Sequence, residues 1–235
     1  LPNRINDIIN SENFRLMTID LVKDPLEKLP TDIQIIFHAA SQQPSSPEIT
    51  FEDFFRGNIL TTQRIIDHYS CSDLRLFVYF STTMVYGDNQ ATIIEDSPIN
   101  LPLNNYALSK KWAEEYITNL QKSNRFSAVI LRCTSIFGLG HNGGIVYSFF
   151  ESAKSNRSIK VYSLGQKKRN IVHISDVVNL CVSIVNNCES LKGTEIFLVG
   201  SRNSLNMLEI AKFIKNNLGS KAEIELVDTE TYSTL

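Results

Sequence analysis

The sequence predicts an α/β fold, a doubly wound parallel sheet followed by a small C-terminal α+β lobe. Three observations predict it. Apolar, β-type runs alternate with segments of helical periodicity through the first half of the chain. Several of these runs are continuously apolar, as strands covered on both faces must be. Beyond Gly138 the elements shorten and their order loosens, so a second lobe is expected there.

The predicted elements follow in chain order. In the main sheet, strands are predicted at residues 14–19, 33–37, 74–80 and 128–132. Amphipathic helices at 51–69 and 105–121 would be the right-handed crossovers between them. In the smaller lobe the predicted elements are a helix at 145–154, a strand at 159–164, a helix at 175–187, a strand at 195–199, a helix at 205–218 and a strand at 222–226.

Composition excludes several classes of protein. The 235 residues are 43% hydrophobic, enough to bury the core of one large domain or two small ones. The net charge of −2 argues against a nucleic-acid or anionic-membrane surface. No apolar run approaches the roughly 18 residues of a membrane span, and the opening residues show no signal-peptide pattern, so we expect a cytoplasmic protein. The four cysteines form no C-x-x-C pair and have no histidine at a metal-ligand spacing, so we expect reduced thiols and no metal site.

The stretch FGLGHNGG, residues 137–144, contains the dinucleotide-binding pattern G-x-G-x-x-G. An apolar run precedes it and a helical pattern follows, which is the context that this motif needs. The motif also needs a carboxylate at the end of the next strand to bind a ribose. Here that strand runs instead into Gly165 and the basic triplet 167–169. The alternative is a glycine-rich loop that turns sharply or approaches another ligand.

The clearest chemistry lies in Tyr106-Ala-Leu-Ser-Lys110. Side chains four apart share one face of a helix, so the Lys110 ammonium can lie near the Tyr106 phenol. A nearby cation favours the phenolate and lowers the phenol pKa from about 10, which would make Tyr106 an acid/base near neutral pH. Alone the motif is weak, because surface helices often carry such pairs.

Hydroxyl groups at the end of the preceding strand strengthen this interpretation. The run Ser81-Thr82-Thr83 ends the strand at 74–80 and places hydroxyls at the carboxyl end of a parallel strand. Ligands of open α/β sheets bind at that edge. Without the Tyr/Lys pair, Thr82 would be interpreted as an ordinary strand-end cap.

Together these motifs resemble the extended short-chain dehydrogenase/reductase family, and its nucleotide-sugar epimerases and dehydratases in particular. The matching positions in chain order are Asp20, His38-Ala39-Ala40, Asn58, Val85-Tyr86-Gly87, Tyr106 with Lys110, Leu131-Arg132, and Arg169 to His173 with Asp176. They span nearly the whole chain, and so many ordered matches are far more specific than any one of them. The resemblance implies a Rossmann-like sheet.

The resemblance assigns catalytic roles to three residues. Tyr106 would be the acid/base, Lys110 would lower its pKa and bind the nicotinamide ribose, and Thr82 would hydrogen-bond the reacting sugar hydroxyl. The cofactor would be NAD or NADP, bound by Tyr106 and Lys110 together with Asp20, Leu21, Ala39, Ala40 and Asn58.

The implied substrate is a nucleotide-diphosphate sugar. Thr83, Ser135 and Arg169 would bind it together with Thr82, with the Arg169 guanidinium on the diphosphate. The alternative for Arg169 is a solvated member of the Lys-Lys-Arg run. In this resemblance the loop 138–144 faces the sugar nucleotide, so its glycine pattern is not the cofactor motif.

Departures from the family pattern restrict the reaction. Sugar 4,6-dehydratases of this family carry Asp-Glu directly after the active-site threonine, whereas Thr83 and Met84 follow Thr82 here. We therefore expect an epimerase or a reductase in polysaccharide or glycoconjugate synthesis, and disfavour a dehydratase. A non-catalytic dinucleotide sensor is the alternative, although the acid/base set argues against it. The resemblance also implies a homodimer through the helices 51–69 and 105–121.

The domain organisation is also inferred from the resemblance. Residues 1–137 would form the dinucleotide-binding domain and 138–235 mainly the substrate lobe, with some segments returning to the main sheet. The first glycine of the chain is Gly57, so the family's glycine fingerprint cannot precede it. We therefore expect the first β-α-β unit, roughly 50 residues, to be missing at the front and the lobe to be incomplete at its end. On this expectation residues 1–235 alone would not bind NAD(P).

Overall fold

A computed structural model describes residues 11–87, 92–101 and 103–228 of the chain. Its strands are β1 Ile35–His38, β2 Leu76–Thr82, β3 Ser127–Cys133, β4 Ser135–Phe137, β5 Ile159–Tyr162, β6 Lys168–Arg169, β7 Ile171–His173, β8 Thr194–Val199, β9 Leu205–Asn206 and β10 Ile224–Val227. Its α-helices are α1 Phe51–Phe54, α2 Thr61–Ser70, α3 Asn105–Lys122, α4 Gly144–Lys154, α5 Ile174–Asn186 and α6 Met207–Asn217. The outer ends of the two predicted domains, 1–10 and 229–235, lie outside the described residues.

The main sheet is parallel, with strand order β1-β2-β3-β8. Its two central strands are buried on both faces, as their continuous apolar runs predict. On one face Phe77, Tyr79 and Ile130 pack into a cluster with residues of α2 and α3. On the other face Leu76 and Val78 belong to a cluster that includes residues of α5.

The register of the sheet brings polar residues together at its carboxyl edge. Thr82, at the end of β2, is level with Cys133 at the end of β3. On the other side of β2, His38 at the end of β1 is level with Tyr79. These strand ends carry the loops that form the candidate site.

The first predicted helix contains an irregular stretch. Residues 51–70 are helical throughout, but a π-helical stretch at Phe55–Leu60 separates α1 from α2. The Thr61 amide donates to the Arg56 carbonyl, five residues back, instead of four. Thr50 and Asp53 form a capping box that fixes the start of α1.

The smaller lobe has its own core. Strands β5 and β10 pair in parallel, and α4 and α6 pack against them around Phe149, Ile159 and Met207. Two further strand pairs, β4 with β7 and β6 with β9, connect this lobe to the carboxyl edge of the main sheet. Strand β8 leaves the lobe and pairs with β3 in the main sheet.

Two predicted elements differ from the structure, and the apolar run before Gly138 forms a second strand beyond the predicted one at 128–132. Residues 14–19 form no strand ladder with the described residues; Ile19 packs into the apolar cluster instead, because an apolar run reports burial and not pairing. The single apolar run before Gly138 is divided into β3 and β4, which belong to different sheets. The predicted helix 205–218 begins later, at Met207, because Leu205 and Asn206 pair with β6. In the described part of the chain no helix is both long and apolar enough to cross a membrane.

Candidate active site

A cavity of about 870 Å³ opens at the carboxyl edge of the main sheet. It brings together six of the residues that the sequence singles out, namely Ala39, Thr82, Thr83, Tyr106, Ser135 and Arg169. They come from the ends of β1 and β2, the start of α3, and strands β4 and β6. Residues distant in sequence therefore converge on a single space that can hold a ligand.

Thr82 enters the cavity where β2 gives way to a short 3₁₀ turn, Thr83–Tyr86. The Thr82 hydroxyl accepts a hydrogen bond from the Met84 amide at 3.2 Å. Both interpretations of Thr82 therefore agree with the geometry, since it caps the turn and also lines the cavity. Its hydroxyl proton remains available to another acceptor, because this bond uses only an oxygen lone pair.

Helix α3 presents Tyr106 to the same cavity. The Asn104 side chain accepts from the Ala107 amide at 2.8 Å and so fixes the first turn of the helix. The Tyr106 ring packs 5.8 Å from the Phe54 ring, between centroids, and only 8% of the residue is exposed. The phenol is thereby held at the cavity wall.

Lys110 lies one turn further along α3 and is 2% exposed. Its ammonium donates to the Ser41 hydroxyl at 3.4 Å and lies 4.3 Å from the centre of the Tyr79 ring. The ring face attracts the cation and offsets part of its lost hydration. Burial nevertheless lowers the pKa of Lys110 to about 7, with Glu114 acting in the opposite direction.

The pKa of Tyr106 differs from the sequence expectation. Burial raises the pKa of the phenol above its ordinary value, and hydrogen bonding with Gln43 and Ser41 only partly opposes this. Lys110 does not lower it in this structure, because the described contacts of the ammonium are to Ser41 and the Tyr79 ring. The predicted lowering of the Tyr106 pKa by Lys110 is therefore not observed here.

Asn58 is fully buried and holds the loop after β1 against α3. Its carbonyl oxygen accepts from the Gln42 amide at 2.6 Å and from the Ser41 hydroxyl at 3.0 Å. Its amide donates to the Ser109 hydroxyl at 2.8 Å. Asn58, predicted to bind the cofactor, therefore forms these hydrogen bonds with protein groups. It thereby positions Ser41, whose hydroxyl accepts from Lys110.

His38 is neutral beside this cluster. Burial lowers its pKa to about 4, and the nearby Lys110 charge adds to the effect. The His38 Nε2 lies 3.0 Å from the Thr62 hydroxyl, which itself donates to the backbone carbonyl of Asn58. The Thr62 oxygen is therefore an acceptor for an Nε2 proton, which assigns the tautomer.

The loop 138–144 lines the cavity on the side of the smaller lobe. Gly138 has φ +152°, and a Cβ there would lie 2.4 Å from Ile174, so only glycine fits. The loop follows β4, which pairs with β7 and not with the main sheet. Arg169 lies near the same wall, on β6.

Five of the seven predicted cofactor residues are not part of the cavity lining, namely Asp20, Leu21, Ala40, Asn58 and Lys110. Asp20 accepts from the Val22 and Lys23 amides within its own turn, and these bonds lower its pKa. Leu21 packs partly against the α2/α3 core cluster. Ala40 is exposed at the end of β1, next to Ala39, which lines the cavity.

Sequence reasoning missed several residues of this site. Ser41, Gln43, Cys133 and His141 line the cavity, and Glu114 lies directly behind the lining residue Ser81. Glu114 had a detectable signal, because it lies four residues after Lys110 on the same helical face. The others depend on which loops meet in three dimensions, which the spacing of residues does not reveal.

The site fits one half of a nicotinamide dinucleotide. Small residues leave the end of β1 open, and Tyr106 and Thr82 face the cavity where a nicotinamide ribose and a sugar could meet. A pyrophosphate needs closely approaching backbone amides, which glycines permit. Residues 11–56 contain no glycine, so that half of the cofactor has no cradle in this stretch of the described chain.

Comparison with known proteins identifies the family. Residues 2–200 match the model of the NAD dependent epimerase/dehydratase family. The chain is 24% identical over 215 residues to bovine (Bos taurus) dTDP-D-glucose 4,6-dehydratase, covering 88% of this chain and 59% of that protein. It is 28% identical over 239 residues to ADP-L-glycero-D-manno-heptose-6-epimerase of Brachyspira hyodysenteriae, covering 96% of this chain and 70% of that protein.

Solved structures confirm the Rossmann-like fold. UDP-glucuronic acid 4-epimerase from Bacillus cereus in complex with NAD superposes with a TM-score of 0.85 at 21% identity, over 95% of this chain and 72% of that one. The same enzyme with UDP-glucuronic acid and NAD gives 0.86 at 20% identity, over 96% and 72%. The family is NAD dependent, in agreement with the expected NAD or NADP cofactor. The chain belongs to the NAD dependent epimerase/dehydratase family.

Proposed function

We propose that the protein is an NAD(P)-dependent nucleotide-sugar epimerase or reductase. The observation that carries this proposal is the convergence of Thr82 and Tyr106 on one cavity. Lys110 is buried one turn after Tyr106 on the same helix, α3. A non-catalytic sensor of a dinucleotide would need a binding groove but no positioned hydroxyl, phenol and ammonium. We further propose that the enzyme is cytoplasmic and serves polysaccharide or glycoconjugate synthesis.

The proposed reaction begins at a sugar hydroxyl. Thr82 would hold that hydroxyl, and Tyr106, as phenolate, would take its proton while the carbon-bound hydrogen leaves as hydride. Bound NAD(P) would accept or supply that hydride. In an epimerase the resulting carbonyl would be reduced again from its other face, with Tyr106 returning the proton; a reductase would perform only one hydride transfer.

Lys110 would make Tyr106 acidic enough for this step. Burial alone raises the pKa of the phenol, so the ammonium must approach the Tyr106 oxygen to favour the phenolate. A lysine side chain has the rotatable bonds for such a movement, and its Ser41 contact of 3.4 Å is long. We propose that Lys110 moves from Ser41 towards Tyr106 and the nicotinamide ribose when the cofactor binds.

The proposed substrate is a nucleotide-diphosphate sugar. The cavity has a volume in the range of small-molecule sites, and basic and hydroxyl groups are among its lining residues. We assign Arg169 to the diphosphate, and Thr83 and Ser135 to polar groups of the nucleotide sugar. We also propose a division into a dinucleotide domain, 1–137, and a mainly substrate-binding lobe, 138–235, from which β8 returns to the main sheet.

The cavity favours epimerisation or reduction over 4,6-dehydration. Dehydration needs an acid that protonates the leaving hydroxyl and a base that removes a second proton. The two residues after Thr82 are Thr83 and Met84, and both line the cavity. Relatives of the chain include dehydratases, so this preference depends on the side chains of this site alone.

The test is turnover of sugar nucleotides by the intact enzyme, together with any segments that flank residues 1–235, in the presence of NAD⁺, followed by NMR of the sugar ring protons. Tyr106→Phe should lower kcat by about 10²- to 10⁴-fold while the Kd for NAD changes less than about threefold, because it removes the proton-transfer group and little binding surface. Full activity of Tyr106→Phe would move the acid/base role elsewhere. Tight NAD binding without turnover of any nucleotide sugar would favour the sensor.

A further inference from the structure

A buried ion pair lies directly behind the candidate active site. Glu114 is 1% exposed and Arg132 is 4% exposed. The Arg132 guanidinium donates twice to the Glu114 carboxylate, from Nη2 to Oε2 at 2.7 Å and from Nε to Oε1 at 3.1 Å. Such a two-point bond fixes the carboxylate in orientation as well as in place.

The ion pair links three elements that carry the site. Glu114 belongs to α3, Arg132 to β3, and the Ser81 hydroxyl at the end of β2 donates to the Glu114 carboxylate. Ser81 directly precedes Thr82 and is level with Arg132 across the sheet. The carboxylate therefore ties the strand end that carries Thr82 to the helix that carries Tyr106.

Further contacts hold the arginine from the opposite side. The guanidinium carbon of Arg132 lies 4.7 Å from the centre of the Tyr86 ring, and Nη1 donates to the Glu95 carbonyl at 3.4 Å. Both partners follow β2 in the chain. A buried ion pair that only stabilised the fold could be replaced by apolar residues, often without loss of stability, so its placement calls for another role.

Glu114 also acts on Lys110 through charge. The two residues are four apart on α3 and therefore share one face. Burial lowers the pKa of the Lys110 ammonium, and the Glu114 carboxylate is the first of the groups that raise it again. The other nearby groups are Cys133, which acts in the same direction, and His38, whose own pKa is lowered, so it stays neutral above about pH 4.

We propose that Glu114 is a positioning residue of the active site, which fixes α3 to the ends of β2 and β3 and sets a negative charge one helical turn from Lys110. This inference deepens the proposed function and rests on it for its catalytic meaning. Among the hydrogen bonds and ion pairs of the described residues, Ser81 is the only cavity-lining partner of Glu114. Its influence passes through Lys110 and through the strand end at Thr82.

The first test measures the charge of Lys110 directly. NMR of the protein with ¹⁵N-labelled lysine, with Lys110 assigned from Lys110→Arg, follows the titration of its ammonium. Glu114→Gln should lower the Lys110 pKa by about one unit, since a neighbouring opposite charge is lost. The matched control is Glu115→Gln, which removes the next carboxylate on the same helix, 64% exposed and 2.6 Å from Lys111, and leaves Lys111 its second ion pair, with Glu114 at 3.6 Å. This control should leave the Lys110 titration and the activity unchanged.

A second variant addresses the risk that Glu114→Gln fails to fold. Glu114→Gln leaves a buried arginine without its partner, so Glu114→Gln/Arg132→Gln removes both charges together. The double variant should also titrate Lys110 at a lower pH than the wild type does. A wild-type Lys110 titration in either folded variant would overturn the proposal.

The hydrogen bond from Ser81 to Glu114, called the tether below because it ties the end of β2 to α3, is tested separately by Ser81→Ala. This variant keeps the charges of Glu114 and Arg132. It should lower kcat about tenfold through misplacement of Thr82, with the Lys110 pKa unchanged and KM within about twofold. Wild-type kcat in Ser81→Ala would exclude the tether. If the wild type turns over no sugar nucleotide, the proposed function fails, yet the titration arm still decides the role of Glu114.

Discussion

Lys110 is a residue whose charge depends on the folded state. In the unfolded chain its pKa is near 10.5, whereas in the folded protein burial lowers it to about 7. Between these pH values the unfolded chain binds the additional proton, so stability rises with pH across this interval. Below about pH 7 both states are protonated, and folding carries the full cost of burying the ammonium.

Lys110→Met should therefore stabilise the protein most at low pH. We expect a gain of at least about 1 kcal/mol in the free energy of unfolding at pH 6, which diminishes as the pH rises from about 7 towards 10.5. Urea unfolding at a series of pH values measures this. A gain that is the same at pH 6 and pH 9.5 would contradict the lowered Lys110 pKa.

Among single residues, the sequence predicted the features that depend on local spacing. Tyr106 and Lys110 are one helical turn apart, so their common helical face followed from secondary structure. Tyr106 and Thr82 both line the cavity. The direction of the Tyr106 pKa could not be predicted, because it depends on how deeply the ring is buried and on where the Lys110 ammonium lies. Asn58 was identified, but its bonds to Ser41 and Ser109 appear only when the loop after β1 meets α3.

At the scale of elements, the turn after β2 depends on Gly87. Its φ is +76°, and a Cβ there would lie 2.0 Å from the Asn100 carbonyl oxygen. Gly87→Ala should destabilise the protein by about 3 kcal/mol, since it combines backbone strain with a backbone clash. It should also lower kcat, because this turn follows Thr82.

The matched control for this prediction is Gly219→Ala. Gly219 also has positive φ, +60°, but no atom lies within 4 Å of the place of its Cβ. Strain alone should cost about 1 kcal/mol there. Equal destabilisation of the two variants in thermal unfolding would mean that the close approach to Asn100 contributes nothing.

Strands were predicted well where an apolar run arises only from burial of a strand on both faces. The central strands β2 and β3 are covered on both faces, and their apolar runs end within a few residues of the predicted bounds. The run 14–19 shows the limit of this reasoning, since burial of Ile19 against a neighbouring cluster gives the same pattern as a strand. The π-helical stretch was invisible, because one additional residue per turn hardly changes helical periodicity over so short a length.

At the scale of the whole molecule, the aromatic residues of the first helical segment and of α3 form an exposed patch. Phe55 is 41% exposed and Trp112 is 46% exposed, and the Phe51 and Trp112 rings meet edge to face at 5.8 Å. Such surfaces often mark contacts between protein chains. This agrees with the homodimer that the family resemblance implies, with two such helices from each subunit.

We therefore expect a dimer that Trp112→Glu dissociates. A carboxylate in an apolar contact would be desolvated without a partner, so the dimer Kd should rise at least about 100-fold. The control is Phe213→Glu, on α6, where the phenylalanine is 68% exposed and distant from the patch in sequence. Sedimentation velocity over a range of concentrations measures both. A wild type that is monomeric throughout, or a Trp112→Glu dimer of unchanged affinity, would contradict this prediction.

The parallel α/β architecture was predicted correctly, because alternating strands and helices leave few ways to build a parallel sheet. The return of β8 to the main sheet was expected in general, but its position beside β3 was not. The division of the smaller lobe into three two-stranded pairs was not expected either. Short strands of two or three residues carry too little sequence pattern to be recognised before their partners are known.

The π-helical stretch Phe55–Leu60 has a consequence for chain length. Each π-helical hydrogen bond encloses one residue more than an α-helical bond does. The stretch is therefore equivalent to a one-residue insertion that leaves the α-helical geometry of α1 and α2 unchanged. Deleting one residue there would let the helix close normally while Phe54 on one side and Ile66 on the other keep their places in the core. The Asn58 side chain would no longer be oriented towards Ser41. This segment is therefore a place where a shortened chain could keep its fold and lose its chemistry.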